Sequence, residues 1–186
     1  MLLHKNNLQD PSFSLLNKII RLIWSFVYYA FFRFTPTPFF GFRRLILRVF
    51  GAKLSDKVNV YPSVSIWLPS NLVMGDRSTL GPHSRVYNQG KVVIGSRVTV
   101  SQYAHICASS HDYCDPSHQL ILSPVFIDDD VWICADAFVG PGVSIGAGAV
   151  VGARGVLTSN ADAWSVYAGN PAKLIKKRSK FGYRYV

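Results

Sequence analysis

The chain has 186 residues with 20 Lys or Arg, 10 acids, 5 His and 3 Cys, and 49% of it is apolar; this fits one domain with an appendage and excludes global disorder. All ten acids are Asp, so carboxylate-pair chemistry that relies on Glu is excluded. Asp favours caps and turns where Glu favours helices, so with 14 Gly and 10 Pro the chain reads as turn-rich. The net charge of +10 sits at the ends: eight Lys or Arg precede residue 54 against Asp10 alone, and six follow residue 172 with no acid. Basic ends on a slightly acidic body suit lipid headgroups or a phosphorylated cofactor. No nucleic-acid partner is expected, because the basic residues avoid the patterned body and no finger or RNA-binding signature appears.

Residues 1–53 hold twelve of the 25 aromatic residues. Asp10-Pro11 fits a helix N-cap followed by Pro at the first helical position. Leu16, Ile19, Ile20, Ile23, Val27, Ala30, Phe31 and Phe34 then recur at helical spacing until Thr35-Pro36-Thr37-Pro38 stops the helix. A second helix, roughly 39–50 with Arg43, Arg44 and Arg48 on it, ends at Gly51. Aromatics mixed with cations describe an interfacial membrane contact through residues 12–50; the alternative is a helical cap packed on the body or on another subunit. No segment is expected to span a bilayer, since Arg21 and Arg33 bracket only eleven residues. An odd number of cysteines without a convincing export signal reads as reduced thiols, hence a cytoplasmic protein, here at the inner face of the membrane.

From residue 54 a six-residue period appears. Leu54, Val60 and Ile66 are followed by Met74, Leu80 and Val86, then Ile94, Val100 and Ile106. After a gap come Ile127, Ile133, Val139, Ile145, Val151 and Leu157. Small residues stand four positions later (Ser78, Ser84, Ala104, Ala137, Ala149, Gly155, Ala161), and Gly directly follows several of the aliphatics. Six matches neither a helix nor a hairpin but a three-sided solenoid. The aliphatics point inward, and the corners call for Gly, Asn or Asp to take strained dihedrals. All three breaks in the period follow a third hexapeptide, so the insertions stack on one corner; the largest, 109–126, is a protruding loop. A non-periodic tail starts near 163.

The period and tail resemble the hexapeptide-repeat acyltransferases, and residues 86–178 resemble the exopolysaccharide O-acetyltransferases of the colanic-acid type. Val86-Tyr87-Asn88-Gln89-Gly90, Ser109-Ser110-His111-Asp112-Tyr113 and Val131-Trp132-Ile133 carry the likeness. So do Val139-Gly140-Pro141-Gly142-Val143, Gly152-Ala153-Arg154 and Tyr167-Ala168-Gly169-Asn170-Pro171-Ala172-Lys173. The resemblance implies a left-handed parallel β-helix of about five coils (54–162), an N-terminal helical region (1–53), and a C-terminal loop and short helix (163–186). It also implies a homotrimer with sites between subunits.

Acetyl transfer from a thioester to a sugar hydroxyl needs a base, donors for the oxyanion and a groove for the cofactor. Imidazole titrates near neutrality. His4, His83, His105, His111 and His118 are the candidates from residues alone, and the resemblance selects His111. Asp112 either orients that ring or forms an Asx turn. Asn88 either bonds the acceptor hydroxyl or is an ordinary corner residue, and Tyr87 lines the same cleft. By resemblance acetyl-CoA runs past Trp132, Ala135 and Ala153 and the Gly169–Lys173 loop, which includes Asn170; among the basic residues that follow Pro171 (Lys173, Lys176, Lys177 and Arg178), one or two meet its phosphates, and Trp132 has a subunit contact as its alternative.

The expected function is acetyl-CoA-dependent O-acetylation of a sugar in a surface polysaccharide or its lipid-linked precursor. Two alternatives remain open. His105, Cys107, His111, Cys114 and His118 lie within fourteen residues, as a Zn enzyme of the γ-carbonic-anhydrase kind would need, although without a Cys-x-x-Cys pair no metal is expected. The other is a non-catalytic trimeric scaffold.

Overall fold

A computed structural model describes residues 13–180; the Asp10-Pro11 cap lies outside them. Ser14 Oγ accepts from Asn17 N at 3.2 Å and starts α1 (Leu15–Val27), which a π-helical turn (Tyr28–Phe32) prolongs. A second helix, α2 (Phe40–Val49), follows the Pro-containing turn, and Gly51 ends it at φ +89°. Leu15–Phe32 is thus one helical run of 18 residues, long and apolar enough by length and composition to cross a membrane. That corrects the expectation of no such segment: Arg is a good helix former, so the helix runs through Lys18 and Arg21, the two charged residues it contains.

Then the chain winds. The first coil is β1 (Lys53–Leu54), β2 (Asn59–Val60) and β3 (Ser65–Ile66); the second is β4 (Leu72–Met74), β5 (Thr79–Leu80) and β6 (Arg85–Tyr87). The third is β7 (Val92–Ile94), β8 (Thr99–Val100) and β9 (His105–Cys107). A hairpin, β10 (Ser109–His111) and β11 (Leu120–Leu122), interrupts before the fourth coil, β12 (Val125–Ile127), β13 (Trp132–Ile133) and β14 (Phe138–Val139). The fifth is β15 (Ser144–Ile145), β16 (Val150–Val151) and β17 (Val156–Leu157). Ala161 bridges to Ile145 to begin a sixth turn, β18 (Ser165–Gly169) adds its second face, and β19 (Ala172–Lys177) folds back antiparallel along β18.

Equivalent strands pair in parallel, giving faces of five, seven and five strands. Every aliphatic of the six-residue period is buried, as are the small residues four positions on. The insertions do share one corner, between the third and first faces. Within the largest, residues 109–122 form an antiparallel hairpin while Val125 already pairs with Val92 on the first face.

The other two corners depart from expectation. Their left-handed positions are Arg77, Arg97, Asp130, Gly148 and Trp164 on one, and His83, Tyr103, Asp136 and Arg154 on the other. Gly148, Asp130 and Asp136 are of the expected types, but the other six positions hold Arg, His, Tyr or Trp, and some of these side chains meet a neighbour one coil away. The His83 and Tyr103 rings stack 5.0 Å apart, and Arg97 holds Asp130 at 2.7 Å and Asp129 at 3.1 Å. Glycines next to the core aliphatics serve close approach instead: a Cβ on Gly95 would stand 2.5 Å from Asp129 Oδ1 and 2.7 Å from Asp129 N.

The short helix expected after Pro171 is a strand. β19 pairs antiparallel with β18 from Gly169↔Ala172 to Ser165↔Lys177. The Lys-rich run Ala172–Lys177 looks helical in isolation, but β18 presents an open sheet edge, and covering it outweighs local propensity.

The opposite end of the solenoid explains the N-terminal arginines. First-coil N–H groups donate to the second coil, as Tyr61 N does to Leu80 O, which leaves first-coil carbonyls facing outward. Arg48 Nη2 donates to Leu54 O at 2.7 Å, Arg44 Nη1 to Val58 O at 2.8 Å, Arg43 Nε to Val60 O at 2.6 Å and Trp24 Nε1 to Ile66 O at 2.8 Å. Arg43 is wholly buried and also donates to Thr35 Oγ1, Pro36 O and Thr37 O.

Candidate active site

The hairpin carries His111 outward at the end of β10, on an exposed strand paired with Leu120. Its Nδ1 lies 2.6 Å from His118 O. A carbonyl only accepts, so Nδ1 carries the proton, and in the neutral ring Nε2 keeps its lone pair free to take one. The connecting loop holds that carbonyl in place. His118 N donates to Asp115 O at 2.8 Å, and the Asp115 carboxylate accepts from Ser117 N at 2.9 Å and Ser117 Oγ at 2.8 Å. These bonds, with the nearby His118, lower the Asp115 pKa. Nothing in the sequence marked His118 for this part, because its backbone and not its ring does the work.

Asp112 takes the turn alternative: its Oδ1 accepts from Cys114 N at 2.9 Å, so the carboxylate shapes the loop. Asn88 is corrected more firmly. It is fully buried, its Oδ1 accepts from Trp67 N and Leu68 N at 3.1 Å each, and its Nδ2 donates to Leu68 O at 2.7 Å. An acceptor hydroxyl cannot reach an amide spent on fastening one insertion corner to the next. Tyr87 is half-buried on the third face, edge-on to Trp67 and His105, and its hydroxyl accepts from Gln89 Nε2 at 3.0 Å.

His105 has a buried Nε2 without a hydrogen-bond partner. Burial, and then Arg85, push its pKa down, so the ring is neutral at neutral pH. Cys107 Sγ donates to Ser109 O at 3.2 Å. Among the described residues no three His, Cys or Asp side chains converge on a point that would hold a metal ion.

The cofactor candidates gather along the corner between the second and third faces. Trp132 is exposed on β13, with Nε1 donating to Ser101 Oγ at 2.9 Å. Ala135 lies at the following corner, where its carbonyl accepts from Arg154 N at 2.9 Å, and Ala153 precedes Arg154. One coil further, Gly152 N donates to Tyr167 O at 2.7 Å, which sets Gly169 and Asn170, the tip of the β18–β19 hairpin, alongside Ala153. Lys173 is exposed and pairs with Ala168 beside that tip. Arg178 does not join them. β19 has carried the chain back across the second face, where Arg178 N donates to Trp164 O at 2.7 Å and Nη1 to Gly148 O at 3.1 Å.

Two corners are therefore in play. His111 leaves the spool where the third face meets the first, while the cofactor candidates stack where the second meets the third. The two apolar grooves of ≈ 480 and ≈ 330 Å³ belong to neither, being lined by Leu22, Phe26 and Tyr29 and by Phe31, Phe34 and Phe39 of the helical region.

No family model matches the chain. The provisionally named colanic acid biosynthesis acetyltransferase WcaF of Escherichia coli (strain K12) is 36% identical over 162 residues, covering 87% of this chain and 89% of that protein. A maltose O-acetyltransferase of Clostridium difficile superposes with a TM-score of 0.80 at 25% identity, covering 90% of each chain. A hexapeptide-repeat acetyltransferase of Vibrio cholerae, solved with acetyl coenzyme A, gives a TM-score of 0.81 at 20% identity over 91% of this chain and 93% of that one. The solenoid is the left-handed β-helix of these proteins, and by its identity to WcaF along most of both sequences the chain belongs to the hexapeptide-repeat acetyltransferases.

Proposed function

We propose that the protein transfers the acetyl group of acetyl-CoA to a hydroxyl of a sugar in a surface polysaccharide or its lipid-linked precursor, with His111 as general base. The observation that carries this reading is the bond from His111 Nδ1–H to His118 O at 2.6 Å on an outward-facing strand. Nε2 takes the hydroxyl proton as the sugar oxygen attacks the thioester carbonyl. The C–O bond forms, backbone amides receive the oxyanion, the C–S bond breaks, and the imidazolium returns the proton to the thiolate of CoA. The His118 carbonyl steadies the imidazolium while it lasts. The name of WcaF supports a polysaccharide acceptor, and the acetyl-CoA complex of the Vibrio neighbour supports the donor.

The separation of the base from the cofactor corner favours a homotrimer. A second subunit packed side by side lays its cofactor corner against the His111 hairpin, and closed cyclic symmetry completes every site. Free thiols at Cys107, Cys114 and Cys134 suit the cytoplasm, at the inner face of its membrane.

The test is acetyl transfer from labelled acetyl-CoA to candidate glycans, followed by mass spectrometry. His111→Ala is expected to lower kcat about 10²–10⁴-fold with the KM for acetyl-CoA little changed. Transfer undiminished in that variant removes the assignment of the base.

A further inference from the structure

The helical region is inside out. Arg43, Arg44, Arg48 and Trp24 turn toward the solenoid and satisfy its end carbonyls. The outward side is apolar: Leu22 is 74% exposed, Phe26 68%, Phe34 78% and Val49 75%, with Leu15, Leu16, Ile19, Ile23, Tyr29, Phe31, Phe39, Phe42 and Leu45 also exposed. Both apolar grooves open on this surface. An apolar surface this continuous on the exposed side of amphipathic helices is a contact surface.

We infer that this surface lies in the headgroup–acyl boundary of a bilayer with anionic lipids, α1 and α2 flat on the membrane and the solenoid standing above it. Charge selects lipid over a second copy of the chain. Exposed Lys18 and Arg33 rim the surface, and no acid occurs between Phe13 and Ser55. A like face would meet these cations with more cations, whereas anionic headgroups neutralise them. Position agrees: the surface covers the open end of the spool, and the side-by-side subunits of the proposed site leave that end free. This last point alone rests on the intersubunit reading above. Crossing the bilayer is disfavoured because Trp24 and Phe32 on the same run are buried against the body, with Trp24 Nε1 held by Ile66 O. Exposed Phe and Leu side chains flanked by cations are those that settle at an interface.

The experiment is co-sedimentation of the full-length protein with phosphatidylcholine vesicles with and without phosphatidylglycerol, alongside sedimentation velocity without lipid. Binding should strengthen with phosphatidylglycerol and weaken in high salt. Leu22→Glu with Phe26→Glu should lower it by tenfold or more at unchanged oligomeric mass; both side chains are solvent-facing, so folding is spared. Lys18→Glu with Arg33→Glu should abolish the preference for phosphatidylglycerol. Wild-type protein that ignores both vesicles overturns the inference. So does a Leu22/Phe26 variant that falls apart into monomers, which would make the surface a subunit contact, or binding indifferent to lipid charge. Wild-type acetyl transfer to soluble glycans is read independently of vesicle binding, so this inference and the proposed function fail separately.

Discussion

The solenoid and the helical region in front of it solve the same problem with opposite means. In the solenoid, backbone N–H and C=O groups meet between coils, aliphatics fill the centre, and polar side chains face water. At its first coil no further coil exists to donate, and side chains replace backbone: three arginines and an indole supply the missing donors. Cations thereby face inward and apolar groups outward. The comparison shows that an open parallel sheet edge can reverse the usual polarity of whatever covers it, because unmet carbonyls are as demanding as an unmet apolar face.

The sharpest way to break this comparison is Arg43→Met, which keeps bulk but strands the carbonyls of Val60, Pro36 and Thr37. A loss of about 2–4 kcal/mol in chemical denaturation is expected; a loss below about 1 kcal/mol would mean the end of the solenoid needs no cap. The corresponding change inside the body, Gly95→Ala, forces a methyl against the backbone of Asp128 and Asp129 in the next coil. That should cost about 1–3 kcal/mol by the same measurement. Arg48→Met should cost less, about 1 kcal/mol, because Arg48 is partly exposed and its ion pair with Asp56 at 2.7 Å is at the surface.

The smallest effect concerns pH. Burial holds the folded pKa of His105 down, so the unfolded chain binds a proton first as pH falls through about 6.5. Stability from this ring is complete above that value and declines on acidification below it. His105→Gln should flatten the decline in thermal melts between neutral and mildly acidic buffers; an unaltered slope assigns it to another group.

Much of the body was legible from residue order. The six-residue step named the buried aliphatics one by one, and the phase of its breaks put the insertions on one corner, because each coil repeats the same local geometry. The likeness, not the residue pattern, singled out His111 among five histidines, and the contact of its Nδ1 with His118 O at 2.6 Å was not readable from the sequence. Asn88 was misread because a buried amide and a substrate-facing amide look alike in a sequence; its bonds to Trp67 and Leu68 reach back 20 and 21 residues. The tail was misread because the demand of the β18 edge is invisible in the Lys-rich run itself.

The order of residues by itself determined a three-sided spool, its aliphatic interior, the corner that bears the hairpin, and the abundance of cations and aromatics before it. Folding in three dimensions decided which way those cations and aromatics face, which polar groups remain open to a ligand, and that base and cofactor candidates stand on different corners. The reason is the range of the forces involved. Periodic burial is written within each turn of chain, whereas pairing an exposed carbonyl or sheet edge depends on groups six to 42 residues away, a match that exists only once the chain has wound.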